Sequence, residues 1–162
     1  MPELQDVLAN NAITGMRIVH DCASDGADDE VMTGGQSYIY TCNCLGFERK
    51  STATNLWNKA TSLITDGILW AKLDIKIGFT LNSVTQEKYC KFELIIPDGI
   101  SPGVDIIAET RNIFVDSQGV DALFGISGFA YVGQEVLDKG IQIRVTPQVN
   151  MTIKNKSILV VE

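Results

Sequence analysis

The side chains best suited to chemistry lie in VHDC, Val19–Cys22, in YTCNC, Tyr40–Cys44, and in the acidic run between them, DCASDGADDE. His20, Cys22, Cys42 and Cys44 are residue types that hold zinc. Tetrahedral zinc usually draws its ligands from tight turns with two to four intervening residues, and here each pair has only one. The four converge on a metal only if both segments are loops. Read as a strand, YIYTCNC puts Tyr38, Tyr40, Cys42 and Cys44 on one face. Residues two apart on such a face have β-carbons roughly 7 Å apart, whereas a disulfide needs about 3.5–4.5 Å. A Cys42–Cys44 bridge is therefore not expected. The expectation is four reduced, metal-free thiols in a core, since free cysteine is among the most buried residue types. A bridge involving Cys22 or Cys90 is the alternative.

A cysteine or serine nucleophile needs a histidine base, and His20 is the only histidine. It adjoins Asp21 and lies two residues from Cys22, which gives no recognisable triad. In the acidic run, a frame with Gly26 at the sixth place of a calcium loop puts Ala23 third and Met32 twelfth, where oxygen ligands are required. No spacing singles out two carboxylates for glycoside hydrolysis. A solvated acidic loop, no cofactor and no enzymatic activity are the expectations.

The elements that must position these residues are strands. With 162 residues, 45% hydrophobic and 20% charged, the chain suits one domain with a real core. Thirteen basic against twenty acidic residues give a net charge of -7, without a basic patch to track phosphates, so nucleic acid is not an expected partner. No apolar run approaches 18 residues and the N-terminal stretch carries Glu3 and Asp6, so neither a membrane span nor an export signal is expected. Residues 1–15, with Leu4, Val7 and Leu8 at helical spacing after Pro2, read as a short arm or helix. Residues 16–162 read as a single β-sandwich domain.

IQIRVTPQVNMTI, residues 141–153, alternates apolar and polar side chains without a break and reads as a half-buried strand, bent or shared between two pairings at Pro147. LDIKIGFTL and YCKFELII alternate likewise and suggest an antiparallel hairpin, closed by PDG. Further strands are expected at 104–107, 112–116, 122–132 and 157–161, with Gly140 of DKG taking a positive φ in a hairpin connection. NLWNKATSLIT has helical spacing but suits a loop as well. In ALFGISGFAYV both faces are apolar: Phe124 and Ile126 alternate with Leu123, Phe129 and Tyr131. Such a strand must be covered twice, by this chain or by another subunit. The fold class is all-β, an antiparallel jelly-roll-like sandwich.

FERKSTATNLW leading into LDIKIGFTL, then KFELIIPDGI, then KGIQIRVTPQVNMTIKNKSILVV as a terminal hairpin, resembles the small β-sandwich structural proteins of tailed-bacteriophage virions. These include capsid decoration proteins, head-fibre heads and fibre knobs. The resemblance concerns arrangement over roughly residues 38–162. It implies a homotrimer, a virion location, phage capsid or other virion proteins as partners, and attachment to the particle through an N-terminal segment. Leu4, Val7 and Leu8 would serve that attachment, and Leu123, Phe129 and Tyr131 the contact between subunits. Another class, a receptor- or carbohydrate-binding head, would use aromatics such as Trp57, Trp70 and Tyr131.

Overall fold

Alternation along Lys72–Ser83 drives Leu73, Ile75, Ile77, Phe79 and Leu81 inward and leaves Lys72, Asp74 and Lys76 on the other side. The same rule builds the other long strands of the computed structural model, which describes residues 18–51, 55–65, 72–97, 106–131 and 133–162. The strands are β1 (Val19–Ala23), β2 (Glu30–Met32), β3 (Tyr38–Ile39), β4 (Phe47–Lys50), β5 (Trp57–Asn58), β6 (Leu63–Ile64) and β7 (Lys72–Ser83). They continue as β8 (Lys88–Ile96), β9 (Ile106–Val115), β10 (Ala122–Tyr131), β11 (Gln142–Pro147) and β12 (Met151–Val161), with one short helix among the described residues, α1 (Gln134–Lys139), before β11.

Two antiparallel sheets face each other. One runs β10-β7-β12-β1-β4, with β2 also paired to β12; the other runs β3-β11-β8-β9. β5 and β6 form a separate two-stranded ribbon. The chain is an antiparallel β-sandwich. Its core is closed by aromatic contact between the sheets: Phe79 of β7 stacks on Phe92 of β8 at 4.5 Å between ring centres, and Tyr40 meets Phe79 edge-on. Fully burying an aromatic or aliphatic side chain of this size contributes about 1.5–3 kcal/mol.

Several pairings differ from the sequence expectation. β7 and β8 do not pair as a hairpin; they lie in opposite sheets and meet face to face. β8 pairs instead with β9 and β11, and β9 is one strand running through Thr110 and Arg111, which lie between the strands expected at 104–107 and 112–116. Residues 141–153 divide at Pro147 into β11 in one sheet and β12 in the other, so the terminal segment is not a hairpin. Gly140 does take a positive φ, of 76°, but as the cap of α1. Residues 57–64 form the β5–β6 ribbon, not a helix.

KNK at 154–156 is a bulge inside β12, not a turn. The register with β7 jumps between Lys154 and Ser157, and Asn155 takes a φ of 51°. The Tyr40 hydroxyl enters the gap that opens: it lies 2.9 Å from the carbonyl of Gly78 and 2.8 Å from that of Ser157, and accepts from the Ser157 N–H. Thus one side chain satisfies backbone groups that the ladder gives up. The N-terminal segment, including Leu4, Val7 and Leu8, lies outside the described residues, as does Trp70.

Candidate functional site

β1 turns His20 and Cys22 inward. Residues 40–45 leave the ladder after β3, yet the burial still alternates, with Tyr40, Cys42 and Cys44 inside and Leu45 exposed. Cys44 has a φ of 57°, a left-handed conformation that departs from a strand and turns its side chain toward β1. There Cys22 and Cys44 form a disulfide, with their α-carbons 5.0 Å apart. The expectation of four reduced thiols is therefore corrected for this pair. The spacing argument holds for Cys42 and Cys44, which do not bridge each other; a partner from β1 lay beyond its reach. Cys42 and Cys90 are buried free thiols.

The cluster has more members than its sulfurs. Cys42 Sγ lies 3.6 Å from Cys22 Sγ. The imidazole Nδ1 of His20 accepts the Trp57 backbone N–H at 3.0 Å, and its Nε2 lies 3.0 Å from Glu48 Oε1. The Nε2–H tautomer satisfies both contacts. Lys59 holds the other Glu48 oxygen at 3.1 Å. Burial lowers the pKa of His20, with Glu48 opposing the shift. Burial also pushes the Cys42 thiol up to about 11 and the Cys90 thiol up to about 12, which leaves both protonated and poorly nucleophilic near neutral pH.

Trp57 closes this cluster and is only 1% exposed; its indole N–H donates to the Cys42 carbonyl at 2.9 Å. The expected sugar contact at Trp57 is thereby corrected. Flanked by polar Asn55, Asn58 and Lys59, it suits a surface position by sequence, but Leu56 and Trp57, the latter in β5 itself, are both buried.

The acidic run is a built turn. Asp28 accepts hydrogen bonds from the Ser24 hydroxyl and, at 3.0 Å, from the Asn43 N–H, while Asp25 accepts from the Ala27 N–H and the Asn43 side chain. Asp28 also lies 3.8 Å from the ammonium of Lys156, which is 1% exposed and donates to the Thr41 hydroxyl at 2.6 Å. A buried cation is costly unless it is paired and hydrogen-bonded in this way.

The second feature is the outer surface of the larger sheet. β10 is an edge strand that pairs with β7 alone within its sheet, with Phe124 and Ile126 directed toward the core. Leu123 and Phe129 point the other way and are 80% and 51% exposed. Lys72 sits over the Phe129 ring, 4.9 Å from its centre. Gly125 faces Gly78 across the ladder, so no side chain rises between Leu123 and Ser127. A shallow groove beside it is lined by Asp74, Lys76, Ser127, Gly128, Leu159 and Val161. Tyr131 pairs with Lys72 at the end of the strand.

This is the architecture against which known structures match. The chain is similar to a PRD1 vertex protein P5, with 10% identity, a TM-score of 0.52, and coverage of 90% of this chain and 70% of the other. It is also similar to Eiger TNF from S. frugiperda, with 8% identity, a TM-score of 0.52, and coverage of 90% and 92%. At such low identity these likenesses establish the fold. No protein-family model and no curated protein matches the chain.

Proposed function

We propose that the protein is a non-enzymatic structural component of a phage virion, a trimeric β-sandwich head that binds the particle exterior and reinforces it. The observation that carries this reading is the outward side of β10, where Leu123 is 80% and Phe129 51% exposed, with Gly78 paired to Gly125 between them. Exposed apolar side chains grouped on an edge strand mark a surface that another protein covers. A neighbouring subunit covers it in this reading. The fold likeness to a vertex protein, and the resemblance of the sequence to virion β-sandwich proteins, support the virion setting.

Leu4, Val7 and Leu8 supply particle attachment, apart from the head. The carbohydrate-binding alternative is weakened because Trp57 is inside the core. Co-sedimentation with particles of the virus that encodes it tests the proposal: full-length protein should pellet with the particles, and protein lacking residues 1–15 should stay in the supernatant while remaining folded. Equal binding by the two proteins, or no binding by either, would overturn the attachment model.

A further inference from the structure

We propose that His20, Cys22, Cys42 and Cys44 become a binding site for a zinc-class divalent metal ion when the Cys22–Cys44 disulfide is reduced. The fold gathers the donor atoms of His20, Cys22 and Cys44, with Cys42 Sγ beside Cys22 Sγ, from two segments distant in sequence, and all four residues are buried. The donor atoms of His20, Cys22 and Cys44 all lie within 4.8 Å of one another. Cys42 Sγ is 3.6 Å from Cys22 Sγ, close to the sulfur–sulfur edge of about 3.8 Å in a tetrahedral site with zinc–sulfur bonds of about 2.3 Å. One-residue spacings do not prevent this convergence. The left-handed backbone at Cys44 turns that side chain toward β1, while His20 and Cys22 approach along β1 itself.

The imidazole has the carboxylate partner that metal-binding histidines commonly carry. Its Nε2 faces the Glu48 carboxylate, which fixes the tautomer and leaves the lone pair on Nδ1. That lone pair now accepts the Trp57 N–H, so an ion at the site replaces this hydrogen bond. The soft and borderline donor set, three cysteines and one histidine, is that of structural zinc sites.

Bridge and ion exclude one another because both use Cys22 and Cys44. A phosphine reductant opens the bridge: the sulfur–sulfur bond takes two electrons, the phosphine becomes its oxide with oxygen from water, and two protons from that water end on the thiols. Zinc then binds as Cys22, Cys42 and Cys44 release three protons.

Cobalt(II) serves as the spectroscopic probe. Phosphine-reduced protein, titrated anaerobically, should take up one equivalent with near-ultraviolet thiolate charge-transfer absorption and visible bands of tetrahedral cobalt, and zinc should displace it. The oxidised protein should give no such bands. Cys42→Ser should lower the affinity at least tenfold, Glu48→Gln should lower it about 10- to 100-fold, and Cys90→Ser should leave it unchanged. If the reduced protein is folded by circular dichroism yet gives no tetrahedral bands, or if Cys42→Ser binds as the parent does, the proposal is wrong. If the reduced protein unfolds, one equivalent of zinc should restore the strand signal; failure to do so would also overturn it.

Discussion

At Tyr40 a single hydroxyl holds the bulge of β12 against β7, touching the carbonyls of Gly78 and Ser157 and the N–H of Ser157. Tyr40→Phe keeps the ring and its contact with Phe79 but orphans these groups. The expected loss is about 1–3 kcal/mol, read as a lower urea midpoint at unchanged slope. A second buried polar residue sets a pH response. Glu93 lies inside β8, paired across the ladder with Arg144 at 2.9 Å and along its own strand with Lys91 at 3.3 Å. Burial works to raise its pKa, but the hydrogen bond and charge of Arg144, helped by Lys91, more than offset this and leave it below the ordinary 4.5. The unfolded chain therefore binds its proton first as pH falls. The stability that Glu93 contributes is complete above about pH 5 and is lost as pH drops through the folded value. Acid unfolding of Glu93→Gln should lack this part of the pH dependence; an identical curve would show that Glu93 does not contribute it.

At the scale of elements, the outer side of β10 is the contact between subunits in the proposed trimer. Leu123→Asp places a charge on the exposed side, where it removes no core contact, so the variant should keep the parent's thermal midpoint in its monomeric form while losing subunit association. Gel filtration with light scattering checks both halves of that statement. A folded variant that still assembles would move the contact elsewhere. The two faces of β10 were legible in ALFGISGFAYV, as were the inward sides of β7 and β11, because a period of two states which side chains share a face; in β8 the alternation of burial fails at Glu93 and Ile95, both buried beside a register shift. The period does not state which strand lies alongside. Leu73–Leu81 and Cys90–Ile96 alternate equally well as a hairpin or as opposed sheets, and the stacking of Phe79 on Phe92 belongs to the second arrangement. Lys156 was illegible for a related reason: between Lys154 and Ser157 the bulge shifts the alternation and turns an ammonium inward. A bridge involving Cys22 was the alternative reading, but its partner was illegible because Cys44 leaves strand geometry at one residue, and Trp57 was misplaced because polar neighbours disguised a core position.

At the scale of the whole molecule, the proposed virion role gains its strength from attachment through several copies. A site at 100 times its dissociation constant stabilises the bound form by about 2.7 kcal/mol, and linked copies gain further because the second and third contacts form at high effective concentration. That mechanism requires an oligomer, and in the proposed trimer another copy of the chain covers the outer side of the β10 sheet. Sedimentation equilibrium of the full-length protein at micromolar concentration tests this most directly. The account predicts a species of three times the 17.7 kDa chain; a single species at the mass of one chain would contradict it.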